Sequence, residues 1–282
     1  MENVTPTVYA AAIQTYNQLG LVPKFDPGAT FNDYLGVFGG ETLTATDRYT
    51  TGYMSIGIGG HTNETGPDGF PLGGSNIHQP GDVRAFKPFP FIMRLITDGL
   101  NTEERKKYRG RRIESHQGRQ YECWYIRVID KTPLQVNKWR QINNNGQIST
   151  VLFTPNDENI NPTPVTPTTS TGSTIQATGD FLYTSCVYNF VLDENDAAEL
   201  RNCAEIIYNN ERYAVISEVV IQAGTDRLKT GPGPGQTTIN YTEAVCVQPM
   251  AFLVTESSMV VNNKGYTWTI DLGATEPLAS AT

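Results

Sequence analysis

The stretch Arg105-Lys106-Lys107-Tyr108-Arg109-Gly110-Arg111-Arg112-Ile113-Glu114-Ser115-His116-Gln117-Gly118-Arg119, with the run Tyr121 to Ile129 behind it, decides how the fold is read. Arg109 to Glu114 and Tyr121 to Ile129 read as two strands flanking a turn at Gln117-Gly118. In the second strand Tyr121, Cys123, Tyr125 and, after a break at Ile126, Val128 alternate with Glu122, Trp124 and Arg127, the two-residue period of a strand. The first stretch also holds seven of the chain's 21 Lys and Arg residues and a single acid, Glu114. It carries +6 in a chain of net −8, which leaves −14 for everything else. A positive field on a negative body is the arrangement of a docking surface for an anionic partner or for the acidic face of another copy. The candidate partner-interface residues are therefore Arg105, Lys106, Lys107, Arg109, Arg111, Arg112 and Arg119. Of these, Arg109, Arg111 and Arg112 are expected to reach a neighbour's carboxylates, because a guanidinium bonds a carboxylate through two parallel donors. A merely solvated hairpin is one competing reading. Contact with nucleic acid, helped by the interleaved Tyr108, Tyr121, Trp124 and Tyr125, is another. The acidic remainder of the chain argues against nucleic acid, whose binders carry positive net charge on the domain.

Working outward, composition points the same way as the hairpin. The 282 residues include 38% hydrophobic and 18% charged residues, with 26 Gly, 17 Pro, 14 Tyr and 11 Phe. Many short strands joined by turns fit that mixture better than a helical bundle does. The fold expected is mainly β (α+β): antiparallel β-sandwich-like domains with few helices and long irregular arms. No run of about 18 apolar residues is present, so no membrane helix is expected. The N-terminus lacks a basic region followed by an apolar run, so no secretory signal is expected either. Cys123, Cys186, Cys203 and Cys246 are far apart and form no CxxC pair. They read as buried reduced thiols of a protein made in the cytosol, with disulfides between distant strands left open by the spacing.

Four regions are expected. Residues 1–80 hold an N-terminal helix and a Gly-rich extended region. The helix is read over Thr5 to Leu19, with Thr5 as N-cap, Pro6 at the first helical position and Gly20 past its end. From Val22 to Pro80 the apolar pattern is broken by glycines, and only Tyr53 to Ile58 looks like a strand. A stretch this irregular suits a subunit whose neighbours order it. Residues 81–160 form a first β-rich part with the basic hairpin, a strand over Phe89 to Thr97 and a turn at Asn143 to Gly146. Residues 161–174 are a Pro/Thr linker. Residues 175–282 form a second β-rich part with strands over Gly179–Leu192, Tyr213–Ala223, Thr237–Glu256 and Met259–Leu272. This part carries one helix, capped by Asp193, whose Ala197, Leu200, Ala204 and Ile207 share a face expected to pack on the strand around Val215, Ser217 and Val219.

No catalytic residue, metal ligand or cofactor is predicted, and the chain reads as a non-enzyme. Gly231-Pro-Gly-Pro-Gly-Gln-Thr237 superficially resembles a phosphate loop, but Gln236 stands where a Lys is needed and two prolines remove backbone donors. His61 and His78, with Glu64, Asp68 and Asp82 nearby, are the only candidates for a metal-dependent hydrolase, and they lack ligand spacing. Asp193, Glu194, Asp196, Glu199 and Glu205 fall on or before a helix, where acids near its start complement the dipole. The triplets at Asn3, Asn63 and Asn240 match glycosylation acceptors only by chance in a chain rich in Asn and Thr.

The run Glu205 to Gly224 resembles a motif of tail-fibre and baseplate proteins of tailed bacteriophages, in which a strand of the form I-S-E-I-G-L follows a helix and precedes a turn. Ile216-Ser217-Glu218-Val219 fits it, and Val220 stands where that family has Gly. The resemblance covers roughly Phe181 to Asp226. It implies a structural subunit of a tailed-phage virion of the neck, tail or baseplate, made in the host cytoplasm. Such proteins interlock through extended arms and β-domains. The expected partners are copies of itself and other virion proteins, with no membrane. A carbohydrate- or receptor-binding surface module, using exposed Tyr and Trp against sugars, is the alternative.

Overall fold

The computed structural model describes residues 3–62, 64–65, 71–72, 74–144, 146–164, 176–261 and 265–280. Along the chain these form β1 (Asn3–Pro6), α1 (Val8–Gln18), α2 (Phe31–Leu35), β2 (Thr50–Gly57), β3 (Glu64–Thr65), β4 (Pro71–Leu72), β5 (Pro88–Phe89), β6 (Ile92–Leu95), α3 (Thr102–Arg105), β7 (Tyr108–His116) and β8 (Arg119–Val128). There follow β9 (Asn137–Asn144), β10 (Gln147–Leu152), α4 (Asp157–Ile160), β11 (Gln176–Ser185), β12 (Val187–Leu192), α5 (Glu194–Tyr208), β13 (Val215–Pro232), β14 (Thr238–Val260), β15 (Tyr266–Asp271) and β16 (Thr275–Ser280). The protein is mainly β, and the paired strands are antiparallel.

The chain divides into two compact units: 1–130 with 192–266, and 131–191 with 267–282. This differs from the division read at the Pro/Thr segment, because the strands that pair are distant in sequence. β2 of the N-terminal region joins β13, and β9 and β10 join β11 and β16. Of the expected linker, residues 165–174 lie outside the described residues.

In the first unit the strand order is β1-β14-β13-β2-β8-β6, with β5 also on β2 and β7 on β8. The expected hairpin is present: β7 and β8 pair from Tyr108↔Arg127 to His116↔Arg119. Gln117 and Gly118 close it with φ of 50° and 75°, the left-handed pair that a two-residue turn matching strand twist requires. β13 is buried without interruption from Ile216 to Thr225 and then alternates toward Pro232. Continuous burial marks a strand covered on both faces.

The described residues of the region 22–80 do not form an extended arm. Phe31, Leu35, Tyr49, Met54 and Ile56 are core residues, and Phe25, Phe38 and Leu43 pack against a cluster of Ile13, Tyr49, Ala223, Val245 and Cys246. Apolar side chains scattered without periodicity still pack when a long hairpin such as β13–β14 offers a surface. The first helix also starts later than expected. Thr5 and Pro6 lie in β1 opposite Phe252 and Ala251, and Thr7 is the N-cap, its hydroxyl accepting from Ala10 N–H at 3.0 Å. Asp193 caps α5 as expected, in a reciprocal capping box with Asp196. The buried face Ala197, Leu200, Cys203 and Ala204 lies toward β6 rather than β13. Arg94–Glu199 and the bond from Asn202 Nδ2 to Met93 O (2.9 Å) hold it there.

In the second unit the sheet order is β10-β9-β11-β16, and β12 pairs with β15. Phe190 stacks on Trp268 with ring centroids 5.5 Å apart. Ser185 Oγ donates to the Asp271 carboxylate at 2.9 Å.

Candidate interaction surface

The basic segment is split between interior and surface. Arg109 and Arg111 are buried, which corrects the expectation that both reach outward to a partner. Nε and Nη2 of Arg109 each donate to the Asp226 carboxylate at 2.8 Å, the two-pronged pairing expected of a guanidinium, but within the chain. Arg111 Nε donates to Glu122, and its guanidinium lies 4.9 Å from the Tyr241 ring centroid. Glu243, on β14, accepts the backbone N–H groups of Gly110, Arg111 (2.8 Å) and Ala244 (2.8 Å). Burial pushes its carboxyl up to about 7 against the opposing pull of those donors. A carboxylate thus fastens β7 to β14 where no ladder bonds join them. On β7 the side chains that turn inward here are arginines, and each is met by an acid on another strand.

The other predicted interface residues differ in exposure. Lys106 and Lys107 are exposed, and Lys106 pairs with Glu103 at 2.7 Å. Arg119 is exposed, Arg105 is half-buried, and Arg112 lies 3.7 Å from Glu114.

The resemblance-bearing residues on β13 face inward. Glu218 is buried and accepts from Gly59 N–H (2.6 Å) and Phe86 N–H (2.8 Å) and meets His78 Nε2 at 3.0 Å. Ser217 Oγ accepts from Gly60 N–H at 2.9 Å. This explains glycines that the sequence showed only as breaks: a Cβ on Gly60 would stand 2.6 Å from Ser217 O. His78 is stacked between Phe86 and Phe252, each 3.9 Å away by centroid, and its Nδ1 meets Asp82 at 2.7 Å. His61 Nε2 is 2.6 Å from Thr255 O. The two histidines thus meet protein partners instead of each other, and Asp68 lies outside the described residues. The helical acids also have structural partners: Asp196 binds Arg127 and Glu199 binds Arg94.

The surface that the sequence did not single out is the four-stranded sheet of the second unit. Among its described side chains only Ser185 is buried. The register pairs Leu152 with Trp139 and Trp139 with Tyr183, and one step along pairs Thr150 with Gln141, Gln141 with Phe181 and Phe181 with Pro277. Paired residues share a face and alternate residues repeat it. Ile148, Leu152, Trp139, Phe181 and Tyr183 therefore stand on one side of the sheet. The Phe181 and Tyr183 rings lie 5.9 Å apart by centroid, as neighbours on one face do. Ile148 is 62% and Leu152 55% exposed. The opposite face carries Lys138, Arg140, Ile142, Val151, Leu182 and Glu276. The signal was available as alternation of Ile148, Thr150 and Leu152, but alternation alone does not say whether the apolar face is covered.

Over residues 1–282 the chain matches the family model described as a family of unknown function, DUF7208. The chain belongs to that family. No curated protein and no solved structure matches it.

Proposed function

We propose that the chain is a structural subunit of a tailed-phage virion, of the neck, tail or baseplate, that works by subunit–subunit assembly. The observation that carries this reading is the four-stranded sheet whose described side chains are all exposed or half-buried except Ser185, with Trp139, Phe181, Tyr183, Ile148 and Leu152 on one face. A sheet needs a covered apolar face for independent stability, and a face whose Ile148 and Leu152 stay exposed beside half-buried aromatics is suited to contact. The predicted chemistry supports the same reading. The buried acids and bases near the hairpin pair with one another and stiffen the first unit. Lys106 and Lys107 just before β7 and Arg119 at the hairpin tip remain exposed as separate basic groups for an acidic neighbour. Quantitative mass spectrometry of purified particles tests the proposal. A fixed stoichiometric copy number supports it, and absence from particles with abundance in the infected cell opposes it.

The aromatic composition of the same face favours a second reading. Trp139, Tyr183 and Phe181 could stack on sugar rings, as a carbohydrate- or receptor-binding module would. Glycan-array binding that is lost in Trp139→Ala would select that reading.

A further inference from the structure

β10 is the outer strand of its sheet. Phe153 N–H donates to Lys138 O at 2.8 Å. In an antiparallel ladder alternate residues bond to the same neighbour. With the unbroken register from Gln147↔Asn144 to Leu152↔Trp139, the odd-numbered residues of β10 bond to β9. Ile148, Thr150 and Leu152 then turn their N–H and C=O groups to the open edge. Among the described residues no strand pairs with that edge. Gln147-Ile148-Ser149-Thr150-Val151-Leu152 is exposed along its whole length and contains no charge, proline or glycine. Edges that must stay single are protected by Lys, Pro or a bulge, and this one has none of them.

We propose that this edge is a seam between two copies of the chain. β10 pairs antiparallel with β10 of a second copy about a two-fold axis through Thr150, joining two four-stranded sheets into one. An axis normal to the sheet keeps each side chain on its own face, so only registers centred on a residue are allowed. Centred on Thr150, Ile148 faces the partner's Leu152, Ser149 faces the partner's Val151, and Thr150 faces itself. The residues brought together on the apolar face are those whose backbone groups point outward. Centred on Ser149, Ile148 would face threonine and Val151 would face glutamine, so the Thr150 register buries more apolar surface.

Charge does not oppose a second copy. A chain of net −8 repels itself over most contacts, but this strand is neutral and no like charges meet across the seam. On the adjoining strand β9, Lys138 and Arg140 are three strand spacings of about 4.8 Å from their counterparts, beyond a Debye length of about 8 Å. The apolar row Tyr183, Trp139, Leu152 then continues into the partner's Ile148. This pairing rests on the assembly reading of the same sheet and names its partner.

Sedimentation velocity of the full chain over a concentration series tests the seam. The wild type and Glu276→Lys, on the far edge, should form a dimer. Thr150→Lys, which sets two ammonium groups opposite each other, should be a folded monomer whose thermal transition no longer depends on concentration, and Thr150→Ser should keep the dimer. In a Cys186→Ser background, Thr150→Cys should give a disulfide-linked dimer on oxidation and Glu276→Cys should not. A wild type that is monomeric at every concentration overturns the pairing, and so does a dimer indifferent to Thr150→Lys. Pairing of the edge only with a different protein's strand also overturns it. A monomeric chain that is nonetheless present in purified particles would remove the seam and keep the assembly reading. A dimer absent from particles would do the reverse.

Discussion

Glu243 on β14 accepts the backbone N–H of Arg111 on β7 at 2.8 Å. One carboxylate here takes the place of a ladder between two strands, inside a protein whose surface is acidic. Its carboxyl is raised to about 7 by burial, from an ordinary value of 4.5. A raised acid in the folded state holds its proton while the unfolded chain releases it, so folding is disfavoured progressively as pH rises between those two values. The expected loss from this group is about 3 kcal/mol between pH 4.5 and pH 7.5, because each tenfold difference in proton affinity between the folded and unfolded chain is worth about 1.4 kcal/mol. Urea unfolding of wild type and Glu243→Gln across that window measures it. Wild-type stability should fall relative to the variant as pH rises. The carboxyls of Glu41 and Asp47, held below their ordinary range mainly by the Lys229 hydrogen bond and the Thr44 backbone bond respectively, stabilise above the unfolded value and lose that contribution below it, outside this window. Parallel curves would show that Glu243 does not titrate there.

The inward and outward halves of the basic segment should respond differently to substitution. Arg111→Met leaves the buried Glu122 carboxylate without its cation and should cost about 3–5 kcal/mol. Arg119→Gln, at an exposed position, should change stability by less than about 0.5 kcal/mol. Chemical denaturation of the two variants checks the split, and equal effects would contradict it.

The position of α5 gives a packing prediction. Leu200 is 1% exposed, on the face toward β6. Leu200→Ala should therefore cost about 2–5 kcal/mol, as a buried leucine does when a cavity is left. A loss under about 0.5 kcal/mol would place this face against solvent.

The glycines around Glu218 should be unequal. Gly60→Ala forces a Cβ to within 2.6 Å of Ser217 O, and Gly81→Ala meets nothing within 4 Å. The first should lower stability by about 1–3 kcal/mol. The second should shift it by less than about 0.5 kcal/mol. Thermal unfolding of both variants is the check.

The hairpin at Gln117-Gly118, the Asp193 cap and the mainly β class were legible because each has a local cause: turn geometry, an unpaired helix terminus, and side-chain alternation. The inward course of Arg109 and Arg111 was not legible. Their acids, Asp226 and Glu122, stand on other strands, one of them more than a hundred residues away, and charge counting treats every arginine as solvated. The packing of Phe31, Leu35 and Tyr49 was hidden for a related reason. Their partners lie on β13 and β14, and no periodic pattern marks a segment that covers a surface without forming a long element. Ile216-Ser217-Glu218-Val219 drew notice as a resemblance, and its residues brace loops 57–60 and 78–86. The apolar face of the four-stranded sheet was visible as alternation in β10, but its being uncovered follows only from three dimensions.

The central claim is that this chain acts by docking the apolar face of its four-stranded sheet within a virion. Complementation measures it most directly: the double variant Trp139→Ser with Tyr183→Ser is supplied in place of wild type during phage growth, and its copy number in purified particles is counted. Both side chains are only half-buried, so the variant should still fold cooperatively, with a thermal transition lowered by the lost Trp139–Tyr183 pair, and be missing from the particles. A folded variant incorporated at the wild-type copy number would contradict the account.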